Sequence, residues 1–210
     1  MIKKLNDEQI ADLATEYAVE FAALKAFISV ESGGKGFYDN GDPVILFEGH
    51  HFYRLLPNSV KDKNGLGLRD RTARNYPNLC YPKWTKEFYG YSSVKRLRVA
   101  MSIHKEAALM SCSWGMMQVM GFNYKKVGYD NVVDFVEAMD ESEMKQIEAG
   151  LNYLVTFKLI KPLRQKKWAV VAEGYNGSGY KKNSYDTKLA EAYNKYLPLQ
   201  NELTANGILG

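Results

Sequence analysis

One stretch constrains this chain more than any other. Between residues 20 and 47 the hydrophobic period changes once, from helical to extended. Phe21, Leu24, Phe27 and Ile28 recur at helical spacing in an apolar run from about Glu20 to Val30. The run closes on Glu31-Ser32-Gly33-Gly34, and paired glycines suit a helix C-terminal stop. Phe37-Tyr38 and Val44-Ile45-Leu46-Phe47 then flank Asp39-Asn40-Gly41-Asp42. Asn-Gly between β-formers is a favoured tight-turn pair, so a hairpin is expected here.

The rest reads as helix. Asn6, with Gln9 three residues on, has the form of a capping box, and Ile10, Leu13, Ala14 and Tyr17 follow at helical spacing. Further helices are expected over Ser93–Met110, Asn131–Met139, Glu141–Lys158, Trp168–Tyr175 and Asp186–Tyr196. Residues 57–92 are polar and tyrosine-rich, and read as irregular with short helices. The expected class is α+β, mostly helical, with one small β-hairpin near the front. No repeat, low-complexity tract or linker divides the chain, so residues 1–197 read as one domain and 198–210 as a tail.

At 46% hydrophobic and 25% charged, the 210 residues carry enough apolar surface to build a core, which argues against disorder. The 15 tyrosines suit flat polar ligands such as sugars, because the ring stacks and the hydroxyl bonds, although many tyrosines simply pack. A net charge of +4 favours an anionic partner without naming one. Lys158 to Lys195 holds nine basic residues against three acids, whereas Asp130 to Glu148 holds seven acids and one lysine. Cys80 and Cys112 form neither a disulfide framework nor a metal spacing and read as buried thiols. No apolar run follows the N-terminal lysines, so neither a signal peptide nor a membrane span is expected, and synthesis in a cytoplasm is.

Two acids draw attention. Glu31 closes an apolar helix, where desolvation and the helix C-terminus both disfavour its charged form. A carboxyl that keeps its proton near neutral pH is what protonation of a glycosidic oxygen requires. Glu48, at the far end of the second expected strand, is the candidate second carboxylate of a paired-acid glycosidase. Asp39 and Asp42 rank lower, because turn aspartates commonly bond their own backbone.

Four segments together form a pattern. Glu31-Ser32, Gly115-Met116-Met117-Gln118 and Gly174-Tyr175-Asn176, in that order, resemble the transglycosylase-like and goose-type branch of the lysozyme superfamily. The segments Phe27 to Phe37 and Ile45 to Tyr53 are more similar still to the phage-endolysin N-acetylmuramidases, and the resemblance runs from about residue 8 to 197. It implies a lysozyme-like fold, a β-hairpin lobe and a helical lobe flanking a substrate groove. It also implies hydrolysis of the β-1,4 bond between N-acetylmuramic acid and N-acetylglucosamine, without cofactor or metal. Glu31 and Glu48 are then the implied catalytic pair, and Gln118, Tyr175 and Asn176 the implied sugar-binding residues. Gly174 stands where that pattern has alanine, and no separate wall-binding module is evident. The implied partner is the peptidoglycan glycan strand, met by a monomer, with weak attraction of the basic C-terminal region to anionic envelope surfaces. Access to the wall is expected after release through a separate membrane pore.

Three rivals remain at this level. A lytic transglycosylase cuts the same bond with one acid and no second carboxylate, and Glu48 weighs against it. A zinc amidase needs ligands that His50, His51 and His104 are poorly spaced to supply. A non-catalytic wall-binding module needs no acid pair. Nucleic-acid binding has no motif to support it.

Overall fold

The computed structural model describes residues 4–31 and 35–209. The chain runs through α1 (Asp7–Glu16), α2 (Phe21–Glu31), β1 (Ile45–Phe47), α3 (Gly49–Leu55) and α4 (Leu68–Asn75). It continues through α5 (Ser93–Ile103), α6 (Lys105–Met110), β2 (Cys112–Trp114), β3 (Val119–Met120) and α7 (Val132–Glu141). It ends with α8 (Glu143–Thr156), α9 (Ile160–Arg164), α10 (Trp168–Asn176) and α11 (Tyr185–Ala205). The class is α+β and mostly helical, as the periodicity indicated. No helix among the described residues is long and apolar enough to cross a membrane. The chain divides into two compact units, one of residues 1–44, 115–117 and 138–210, the other of residues 45–114 and 118–137.

The first unit is built around α2. Ala22, Leu24, Ala26 and Phe27 are fully buried, and each large apolar side chain so placed stabilises the fold by about 1.5–3 kcal/mol. The first turn of α2 receives help from a distance, since the Ala22 N–H donates to Gln200 Oε1 of α11 at 2.9 Å. α1 carries the capping box read from Asn6 and Gln9. α11 runs on through Pro198 to Ala205, so most of the stretch read as a tail is helical and buries Leu203. The expected glycine stop at Gly33-Gly34 lies outside the described residues.

The turn at 38–41 forms, but on a shorter hairpin than expected. Tyr38 N–H bonds Asp42 O at 2.8 Å, Gly41 N–H bonds Tyr38 O at 2.9 Å, and Phe37 bridges Pro43. Gly41 has φ of 85°, and Asn40 is not among the positive-φ residues. That is a three-residue turn with a left-handed glycine rather than the two-residue Asn-Gly form. Asp42 accepts from the Asn40 side chain through Nδ2 at 2.8 Å, a bond within the turn but to a side chain and not to the backbone.

The second unit holds the sheet. β1 does not pair with the 37–38 arm but with β2, 65 or more residues on, in the register Ile45↔Trp114, Leu46↔Ser113 and Phe47↔Cys112. β2 pairs in turn with β3, giving the antiparallel order β1-β2-β3. Beneath it, Phe47 and Phe52 are fully buried and meet edge-on at 5.7 Å. Both cysteines are free and buried, as expected. The helix expected over 93–110 is two helices. His104, in extended backbone, ends α5 and caps α6, its Nδ1 accepting from Ala107 N–H at 3.2 Å.

Candidate functional site

Glu31 is the last residue of α2 and is half-buried. Burial pushes its carboxyl up to about 7, the direction expected from its place on the helix. One contact works the other way: Asn176 Nδ2 donates to Glu31 Oε1 at 2.8 Å, which favours the charged form. Because Oε1 already accepts that bond, a proton retained by the carboxyl is directed to Oε2. Asn176 closes α10, and Tyr175 precedes it on the same helix. The Tyr175 ring packs edge-on against Phe27, one turn before Glu31, at 5.0 Å and against Tyr153 at 5.5 Å. Its hydroxyl donates to Met117 O at 2.7 Å. Burial, and then the neighbouring Glu31, hold that hydroxyl well above its ordinary pKa, so it remains a donor.

A single contact sets the balance at Glu31. Replacing Asn176 with leucine removes a hydrogen bond to the anion, and a net bond of about 0.5–1.5 kcal/mol corresponds to roughly half to one pKa unit. The Glu31 midpoint, followed by NMR, is therefore expected to rise above 7 in Asn176→Leu.

In the segment from Ser113 to Gln118, Ser113 and Trp114 end β2, and residues 115–118 form the loop joining β2 to β3. Its first half is pinned in the first unit. Met116 N–H donates to Gln146 Oε1 at 2.6 Å, and Gln146 Nε2 donates to Gly36 O and Met139 O at 3.2 and 2.8 Å. Gly115 is required there: its φ is 66°, and a Cβ would lie 2.4 Å from Gln146 Cδ. Gln118, also left-handed at φ 48°, belongs to the second unit and accepts from Ser113 Oγ at 2.6 Å. Of the residues singled out in the sequence, Glu31, Tyr175 and Asn176 thus lie together in the first unit. Glu48 and Gln118 lie in the second.

Glu48 follows β1 and stands at the N-cap of α3, without capping it through its side chain. It is 9% exposed. Burial raises its pKa, while the Tyr89 hydroxyl and the Arg96 charge pull the other way. Tyr89 donates to Glu48 Oε1 at 2.8 Å. Glu48 Oε2 has no hydrogen-bond partner among the described residues. His50 Nδ1 is 3.4 Å from that oxygen but outside hydrogen-bonding geometry. Burial, together with the Arg54 charge, lowers the His50 pKa and so favours its neutral form. Arg96, almost fully buried on α5, donates to Phe47 O at 3.2 Å, Phe88 O at 3.3 Å and Tyr81 OH at 3.2 Å. It thereby ties β1 to the tyrosine-rich segment beside Glu48.

The histidines do other work. The rings of His50 and His51 meet at 4.1 Å despite the roughly 100° between successive helix positions. Burial, with the nearby His50 and Arg54, lowers His51 to about 4. Among the described residues no group of three or more His, Cys, Asp or Glu is placed to hold a metal ion. Tyr89 and Arg96 are the polar partners that sequence reading missed. The excess of tyrosine over 57–92 was the one visible trace of Tyr89, and Arg96 left none.

Comparison with known proteins adds three findings. A family model described as N-acetylmuramidase matches residues 20–197. The solved structure of the Burkholderia AP3 phage endolysin is similar at a TM-score of 0.81 and 39% identity, over 93% of this chain and 73% of that one. No curated protein matches the chain significantly.

Proposed function

Since the chain belongs to the N-acetylmuramidase family, glycoside hydrolases that act on peptidoglycan, we propose that it is a phage-type endolysin with Glu31 as its general acid. The observation that carries this reading is a half-buried carboxyl at the end of α2 whose pKa is pushed up to about 7. In this mechanism neutral Glu31 donates its proton to the oxygen linking N-acetylmuramic acid to N-acetylglucosamine. As that bond breaks and the N-acetylglucosamine leaves, positive charge develops on the anomeric carbon and ring oxygen of the N-acetylmuramic acid. Glu48, held by Tyr89, stabilises that charge as a carboxylate or takes a proton from the attacking water. Asn176 holds the Glu31 carboxyl, and Tyr175 fixes the loop carbonyl of Met117. Gln118 contacts the sugar. The protein works as a monomer and reaches the wall through a separate membrane pore. The basic surface from Lys158 onward adds a weak attraction to anionic envelope components.

Digestion of purified peptidoglycan followed by mass spectrometry tests the bond and the chemistry together. Hydrolysis between the two sugars leaves a reducing N-acetylmuramic acid end. A 1,6-anhydro end would replace this reading with a lytic transglycosylase, and an uncut glycan would exclude both.

A further inference from the structure

The segment between α4 and α5 carries several aromatic side chains that the proposed mechanism does not use. Tyr76, Trp84 and Tyr91 are all substantially exposed, and Trp84 most of all, at 57%. Scattered exposed aromatics need no explanation, but Trp84 is not free to wander. Its Nε1–H donates to the Tyr89 hydroxyl at 3.1 Å, and the two rings stand perpendicular at 6.4 Å. That same hydroxyl donates to Glu48 Oε1 at 2.8 Å. The indole's one donor is thus spent inward, on a two-bond chain that ends at a buried carboxylate, while its apolar surface remains open to solvent. Lys86 Nζ stands over the indole ring, 5.9 Å from its centroid, and places a cation against one face while leaving the other for a ligand.

We propose that Trp84 is a stacking platform for a sugar ring of the glycan strand, held in register with Glu48 through Tyr89. The inference rests on the glycan-cleaving reading above and deepens it. A pyranose ring presents an apolar C–H face and a polar rim, which matches an indole with an open face and a nearby cation. Fixing the indole to the tyrosine that fixes the carboxylate lowers the ordering cost of binding, because the platform and the acid are positioned by one set of bonds. Tyr89 acts as a positioning residue for Glu48, and Trp84 as the binding surface.

The fluorescence of the chain makes the test direct. It has three tryptophans, of which Trp114 is 3% exposed and Trp168 is half-buried against Tyr193. Glycan strands freed of their peptides by an amidase are titrated into Glu31→Gln, which binds without turnover, and into Glu31→Gln carrying Trp84→Ala or Tyr89→Phe. Emission and calorimetry are both followed. Trp84 is exposed, so its loss is not expected to unfold the chain, and circular dichroism confirms that each variant is folded. Glycan is expected to change the indole emission, and Trp84→Ala to abolish that change and weaken binding about tenfold or more. Tyr89→Phe alone, assayed for activity, is expected to lower kcat and shift the acidic limb of the pH profile more than it raises KM. Equal affinity with and without Trp84, or glycan binding that leaves the emission unchanged, overturns the platform while leaving the muramidase reading intact. Failure of the wild-type protein to cut peptidoglycan, with no glycan binding by Glu31→Gln, overturns both.

Discussion

Glu31→Gln is expected to lose about 10²–10⁴-fold in peptidoglycan-cleaving rate, the usual contribution of a positioned proton donor, while melting at a higher temperature than wild type at pH 8. Glutamine keeps the shape and can still accept the Asn176 bond, but it has no proton to give. The stability gain follows from the sign of the pKa shift. The carboxyl is raised from 4.5 to about 7 on folding, so the folded state holds a proton that the unfolded state has released between those values. The fold therefore loses stability as pH rises from about 4.5 to about 7, and carries the full cost of the buried anion above that range. A shift of that size corresponds to at most about 3–4 kcal/mol, and part-exposure of the side chain screens it to roughly 1–2 kcal/mol. For a chain of this size that is about 2–8 °C in Tm. At pH 4 both forms are neutral and the gain is expected to vanish. Turbidity clearance and calorimetry at the two pH values check both halves. A higher Tm together with lost activity in Glu31→Gln would be the trade between stability and function that the proposed proton donor implies.

Glu48→Gln is expected to carry the second large effect, a loss of about 10²-fold or more, because in the proposed mechanism the second carboxylate offsets charge or takes a proton at the reacting centre. The pH profile of the wild type tests the assignment from both sides. Activity is expected to rise as Glu48 ionises, at a pH above that of an ordinary glutamate, and to fall about tenfold per unit once pH exceeds the Glu31 value of about 7. In Glu48→Gln the acidic limb is expected to disappear and the alkaline limb to stay. A variant that retains wild-type rate and an unchanged acidic limb would remove Glu48 from the mechanism.

How much of this was legible before the fold depends on the range of the interactions. Glu31 was, because its position at the end of an apolar helix is a local property of eleven residues and its pKa direction follows from that position. The Asn6 capping box was legible for the same reason. The partner of β1 was not. Asn40-Gly41 pointed to the nearest arm, whereas Ile45–Phe47 pairs with Cys112–Trp114, a choice made by burying Phe47 and Cys112 together. Gln118 was found by resemblance. Its left-handed backbone in the β2–β3 loop, and the hold of Gln146 on Met116 30 residues earlier in the chain, are not local sequence properties. His104 broke an otherwise periodic helix because its ring can cap the next one, a property periodicity does not register. Tyr89 and Arg96 act on Glu48 from 41 and 48 residues away, so nothing in the local sequence marks them as its partners.

A pH titration of the Glu31 carboxyl carbon by NMR in the wild-type protein, with Glu31→Gln to assign the signal, bears most directly on the general acid. A midpoint near 7, matching the alkaline limb of the activity profile, is the expected result. A midpoint near 4.5, with activity persisting well above it, would show a carboxylate already ionised at working pH and would contradict its role as the proton donor.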